Sequence, residues 1–261
     1  MLSPNAERPP LLTPIPAILP PLDGLDLCAR YFAERSGGDF FDAITVSSRL
    51  IFLLTDIAGP KAEAHAVATE MQTIFRRTAS SLFAPTGANE SEAIASLAHE
   101  VNRALLEAAG GVRLAPAFLA CFNLTLGVMT YCNAGQIPAV FRDVAGTHVL
   151  EQGGVPLGLF THVTYEPALL AFQPGDKLLL ATKGVIQSRR GSTEFGVEHM
   201  EEIVANANSD TAAQICDTVL RQANEFGEHP LAHLIKLLPG KRQEQDDLTA
   251  VALVRKPFKT G

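Results

Sequence analysis

The chain has 261 residues, 47% apolar and 19% charged, with Lys+Arg 21 against Asp+Glu 28 and a formal net charge of −7. That length holds one large domain or two small ones, and the composition is that of a chain that buries a sizeable core rather than a disordered one. The acidic balance argues against a dedicated nucleic-acid binder, and no apolar run is long enough to cross a bilayer. The start, MLSPNAERPPLL, lacks the basic head and continuous apolar stretch of a secretory signal. Cys28, Cys121, Cys132 and Cys216 show no CxxC spacing and read as small buried hydrophobes in a reducing compartment, so a cytoplasmic protein is expected.

In chain order, the first 21 residues hold seven of the 17 prolines and are expected to be extended, docked on the domain or acting as a linker. Strands are expected at Leu25–Ala33, Phe40–Val46 and Leu50–Thr55 from their β-branched and aromatic content. Lys61–Phe83 places Val67, Met71, Ile74, Phe75 and Leu82 at helical spacing. Asn89 with Glu92 forms a capping-box pattern for a second helix, stopped by Gly110-Gly111. Strands return at Ala117–Leu124, Gly127–Asn133, Pro138–Arg142, His148–Glu151 and, after a Pro-Gly-Asp turn, Lys177–Thr182. Helices at Val197–Ala207 and Thr211–Phe226, the second capped by Asp210, precede a last strand, Leu248–Arg255. This order does not alternate as a doubly wound parallel sheet would. Phe40–Val46 is apolar on both faces, which implies a layer on each side of it and hence a sandwich.

The informative stretch is SGGDFFDAITVSSRLIFLLTDIAG. If Ser47-Ser48 is a hairpin tip, Val46 faces Arg49, Phe41 faces Leu54, and Asp39 faces Asp56. Directly opposed like charges destabilise a sheet, and at ~5 Å in a partly dry site they repel by a few kcal/mol. A shared proton or a divalent cation with oxygen ligands would compensate; otherwise both acids lie at strand ends in solvent and merely punctuate turns. Gly37-Gly38 before Asp39 and Gly59 after Asp56 let backbone approach a ligand, and Asp246-Asp247 opens the last strand. Three acidic sites at strand termini are the makings of a hard-cation cluster.

The motifs SGGDFFD, TDIAG, NAGQIPAV, GGVPLGL, PGDKLLLATKGV, RRGSTEFG and DDLTAVALV occur in the order seen in bacterial phosphatases of the PPM (PP2C-like) superfamily. The chain resembles the branch containing SpoIIE and RsbU, over roughly Leu25 to Arg255. The resemblance implies an α+β fold, a four-layer αββα sandwich of two mostly antiparallel sheets flanked by helix pairs. It divides the chain into a Pro-rich lead, residues 1–22, a phosphatase domain, 23–257, and a tail, 258–261. It also implies a Mn²⁺ or Mg²⁺ centre, of one or two ions, that activates water against a phosphoserine or phosphothreonine. The expected partner is a phosphorylated regulatory protein of the anti-sigma-factor-antagonist type, with neither nucleic acid nor membrane involved and a homodimer as one assembly open to it. Carried over residue by residue, the catalytic and metal-binding positions are Asp39, Asp56 and Asp246, with the Ile57 carbonyl as a further ligand and Gly38, Gly184 and Asp247 in support. No sensor module is expected within this chain.

One departure stands out. Where the family has Thr-Asp-Gly, this chain has Thr182-Lys183-Gly184, and a charged lysine has no lone pair to offer a cation. The ammonium would then stand in for a missing metal among the carboxylates, or else swing into solvent and leave the ligand position to water. Gln136 in place of the family's histidine, and Pro60-Lys61 in the loop after Asp56, are smaller departures. Two readings follow: a phosphatase with an impaired metal site, or a pseudophosphatase that keeps the fold and binds a partner. Arg76-Arg77 and Arg189-Arg190 read as solvated basic pairs, the second as a candidate grip on a phosphoprotein; His65 and His99 read as ordinary helix residues. Gly153–Gly158 reads as a turn, having no Gly-Lys-Ser/Thr of a phosphate loop.

Overall fold

The computed structural model describes residues 17–18, 21–32, 38–108, 113–135, 137–150, 153–208, 211–227 and 247–256. Two five-stranded antiparallel sheets lie face to face. One contains β2 (Asp39–Val46), β3 (Arg49–Asp56), β4 (Ala117–Asn123), β5 (Val128–Ala134) and β8 (Ala168–Ala171), in that spatial order. The other runs β1 (Leu25–Phe32), β12 (Leu248–Arg255), β9 (Lys177–Ala181), β6 (Ala139–Asp143) and β7 (Gly146–Val149). Helices α1 (Lys61–Leu82) and α2 (Glu90–Ala108) pack on the first sheet, and α4 (Gly196–Asn206) and α5 (Ala212–Gly227) on the second. The expected αββα sandwich is what the chain forms.

Three apolar layers hold it together. Phe41, Phe52, Phe118 and Phe122 meet Phe141, Leu178 and Val251 between the sheets. Phe40, Ile51, Leu53 and Leu119 pack against Met71, Phe75, Ile94 and Leu97 of the first helix pair. Leu179, Ala250 and Ala252 pack against Met200, Ile215 and Val219 of the second. The two faces of β2 thus enter two different cores, as its unbroken apolar pattern requires.

Local chemistry fixes the element ends. The tip of the β2–β3 hairpin is Ser47-Ser48, with Ser47 at φ 54°, and the register pairs Val46 with Arg49, Phe41 with Leu54 and Asp39 with Asp56. Asn89 Oδ1 accepts the amides of Ser91 and Glu92, starting α2. For α5, Asp210 lies outside the described residues. Among the described residues a reciprocal Thr211–Gln214 box stands at its start, and Asp26 Oδ2 on β1 accepts the Ala212 amide. Gly110-Gly111 also lie outside the described residues.

Four elements have no counterpart in the expectations: β8, the single turn α3 (Lys183–Ile186), and β10 (Arg189–Arg190) and β11 (Thr193–Glu194), which form a small hairpin. The strand expected at His148 starts earlier, at Gly146, because it closes a tight hairpin on β6 through Asp143–Gly146 pairing.

Candidate active site

Asp39 and Asp56 sit across from each other where the β2–β3 hairpin opens. The chain leaves β3 through Ile57, whose amide donates to the Gly38 carbonyl at 3.0 Å, while the Ala58 amide reaches the Leu114 carbonyl at 3.0 Å. Gly38 lies so close to this loop that a Cβ there would meet the Ile57 carbonyl oxygen at 1.8 Å. Glycine is therefore required, and it sets the Ile57 backbone beside the two acids. Arg113 braces the far side of the loop, donating to the Ala58 carbonyl at 3.0 Å and to Glu63 at 2.6 Å.

The opposite wall comes from the other sheet. Asp247 stands just before β12 and is buried, and Thr249 and Thr182 both donate hydroxyl hydrogen bonds to Asp39 Oδ2, the latter at 2.6 Å. Thr182 Oγ1 also accepts the Thr249 amide at 3.2 Å, so the two threonines form one fixture. Asp39 is only 7% exposed. Burial first, then the charges of Asp56 and Asp247, push its carboxyl well above the ordinary carboxylate range, against the two threonine hydrogen bonds that lower it.

Together Gly38, Asp39, Asp56, Ile57, Gly184 and Asp247 line a cavity of ≈ 240 Å³, with Lys183 at its edge. Lys183 is exposed, and among the described residues no ion pair joins it to an acid. It is thus not buried among the acids, although it lines the same cavity. Asp246 lies outside the described residues. Among the described residues no three His, Cys, Asp or Glu side chains are drawn together as a ready-made metal cage. The donor set is nevertheless that of a hard divalent cation: carboxylate and carbonyl oxygens, no soft ligand, and a buried acid whose negative charge is opposed by its neighbours.

Sequence reasoning missed several contributors. Asp42 is fully buried and held by Nε and one Nη of Arg76, which is thus half-buried and paired rather than simply solvated. Arg189 pairs with Glu194, and Arg190 lies over Phe226, away from the cavity. Asn133 closes its own loop, exchanging hydrogen bonds with Ile137, while Gln136 lies outside the described residues. Gly158 is a turn glycine at φ +80°, its amide held by Asn102. A wider groove of ≈ 540 Å³ at the Ser47-Ser48 end contains none of the expected site residues. The Arg49–Glu90 ion pair stands in its wall.

A family model described as Stage II sporulation protein E (SpoIIE) matches residues 47–256. The chain belongs to the SpoIIE family. The match carries Asp56, Lys183 and Asp247, while Asp39 precedes it. Protein IcfG of Synechocystis sp. is 28% identical over 144 residues, covering 54% of this chain and 20% of that protein. The phosphoserine phosphatase RsbP of Bacillus subtilis is 37% identical over 57 residues, 22% of this chain and 14% of its own. The chain therefore spans a fifth or less of the length of these curated relatives. Among solved structures, the RsbU and RsbW domains of Rv1364c from Mycobacterium tuberculosis superpose with a TM-score of 0.69 at 23% identity, covering 94% of this chain and 63% of that one. The PP2C phosphatase domain of Bacillus subtilis SpoIIE gives 0.66 at 15% identity, over 88% of this chain and 63% of that one. The SiaA-PP2C domain of Pseudomonas aeruginosa gives 0.68 at 14%, over 87% and 84%. At these identities the structures speak for the SpoIIE-family fold alone. Among the described residues no helix is long and apolar enough to cross a membrane.

Proposed function

We propose that the chain is a divalent-cation-dependent phosphoserine/phosphothreonine phosphatase whose substrate is a small phosphorylated regulatory protein of the anti-sigma-factor-antagonist type. The observation that carries this reading is Asp39, a buried acid facing Asp56 across the hairpin beside the Ile57 carbonyl. Asp39, Asp56, the Ile57 carbonyl and the Asp246-Asp247 pair would hold Mn²⁺ or Mg²⁺. Such a cation, when bound, lowers the pKa of its water and offsets charge on a phosphoryl group.

The chain's own groups do the positioning. Thr182 and Thr249 fix the Asp39 carboxylate, and the tight Gly38–Ile57 approach fixes the carbonyl next to it. Gly184 lines the cavity beside Lys183. Lys183 leaves the cation set one carboxylate short of the family pattern, so the centre is weakened.

The test is release of phosphate from a phosphoserine protein of the antagonist type, with Mn²⁺ against chelator, in wild type, Asp39→Asn and Asp56→Asn. Cation-dependent release abolished by either substitution supports the reading; release that survives chelator and both substitutions overturns it. The second reading, a pseudophosphatase that binds a phosphorylated partner without turnover, is favoured by Lys183 at the cavity edge. It predicts binding of the phosphoprotein without release.

A further inference from the structure

On β1, alternate residues Asp26, Cys28 and Arg30 face α5. Asp26 accepts the Ala212 amide at 3.1 Å, and Arg30 pairs with Asp217 at 3.4 Å. Between these two ties Cys216 meets Cys28, its sulfur 3.5 Å from the Cys28 carbonyl and 3.6 Å from that of Ala250 on β12. Both thiols belong to the core between α5 and its sheet, and neither lines the acidic cavity. Their settings differ. Cys216 is fully buried, whereas Cys28 is 9% exposed on a strand at the edge of its sheet.

We propose that Cys28 and Cys216 form an oxidant-responsive dithiol, in which Cys28 reacts first with a hydroperoxide and Cys216 closes a disulfide between β1 and α5. A reactive thiol needs thiolate character, access and a resolving partner, and the two positions divide these roles. The neighbouring Cys216 thiol is the main influence holding the Cys28 thiol below its ordinary value, helped by Arg30 and opposed by burial, Asp217 and Asp26. The Cys28 interaction first, and then burial, push Cys216 the other way, so it stays a thiol. Cys121 and Cys132 are buried in the other half of the sandwich, and burial pushes both thiols up, Cys132 to about 12 and Cys121 further still.

The steps balance. The Cys28 thiolate attacks the outer oxygen of the hydroperoxide, the O–O bond breaks, and the departing oxygen takes up a proton. Cys28 is left as a sulfenic acid. The Cys216 sulfur then attacks the Cys28 sulfur, the S–O bond breaks, and hydroxide leaves with the Cys216 proton as water. Two thiols have lost two electrons, and the peroxide has gained them.

The full chain is treated with one equivalent of hydrogen peroxide at pH 7.5, quenched with N-ethylmaleimide in denaturant, digested without reductant and mapped by mass spectrometry. The expected product links the Cys28 and Cys216 peptides and leaves Cys121 and Cys132 carrying maleimide. In Cys216→Ala, dimedone should trap a sulfenic acid at Cys28, and in Cys28→Ala peroxide consumption should fall at least about tenfold. The wild-type rate should rise with pH as the Cys28 thiol loses its proton. Cys28 and Cys216 both recovered as maleimide adducts overturns the proposal, as does peroxide reacting equally at all four cysteines. The wild-type map decides even where a variant fails to fold.

Discussion

Arg76 on α1 spans to Asp42 on β2 with Nε and an Nη each 2.8 Å from a carboxylate oxygen, a two-pronged grip on an acid with no exposed surface. It anchors the first helix pair to the strand that begins at Asp39. Removing one partner strands a buried charge, which typically costs about 3–5 kcal/mol. Because the Arg76 side chain is 32% exposed, Arg76→Ala should fall near the lower end. Urea unfolding should show this loss, and Asp42→Leu added to Arg76→Ala should recover much of it. A loss unchanged in the double variant would mean that the arginine stem, and not the pair, carries the stability.

The approach of Gly38 to Ile57 makes a second prediction. A methyl placed 1.8 Å from the Ile57 carbonyl oxygen forces that carbonyl aside. Gly38→Ala should cost about 1–3 kcal/mol of stability, the usual penalty of overpacking. It should also weaken Mn²⁺ binding by calorimetry out of proportion to that cost, because the displaced group is itself a proposed ligand. Unchanged Mn²⁺ affinity would remove the Ile57 carbonyl from the ligand set.

A third prediction concerns acidity. Asp39 titrates above the ordinary carboxylate range in the folded chain, chiefly through burial and secondarily through Asp56. The folded state therefore binds this proton more tightly than the unfolded one. Its contribution is fully present below the unfolded value of about 3.9 and is lost as pH rises through the folded value. In chelator, the melting temperature of wild type relative to Asp39→Asn should fall as pH is raised from 4 towards neutrality. Saturating Mn²⁺ should restore it, since a cation replaces the proton. A difference between the two proteins that is flat with pH would show that Asp39 keeps its charge without help.

Lys183 gives the fourth. Lys183→Asp removes a cation from the cavity edge and returns a carboxylate to the family position. Mn²⁺ should bind more tightly or at more sites. Turnover of a generic phosphate ester should rise at least about tenfold, only ~1.4 kcal/mol of barrier. Asp56→Asn in that background should abolish the gain. Robust wild-type turnover that Lys183→Asp leaves unchanged would mean that the site functions fully without the family acid.

Much of this arrangement is legible in the sequence where it depends on period or on local turns. A two-residue tip at Ser47-Ser48 between apolar runs sets the whole β2–β3 register, and with it the Asp39–Asp56 opposition. The interleaving of strands and helix pairs reads as a sandwich for the same reason. What sequence does not reveal is partnership across distance. Thr182 and Thr249 reach Asp39 from 143 and 210 residues away, and nothing in their neighbourhoods marks them as its hydrogen-bond donors. Asp42 and Arg76 are 34 residues apart on elements of different period, so Arg76 looked like part of a solvated basic pair. β8 was missed because its four residues are mostly exposed and show no alternation. The direction of Lys183 was undecided because motif position fixes a backbone and not a side chain.

Asp39 is rooted in one sheet, while the threonines that hold it belong to the other: Thr249 within β12 and Thr182 at the end of β9. The proposed cation oxygens are likewise shared, with Asp56 and Ile57 on one side and Asp247 on the other. The site is a seam. A small glide of one half of the sandwich over its mate would change the spacing between acids without disturbing either half internally.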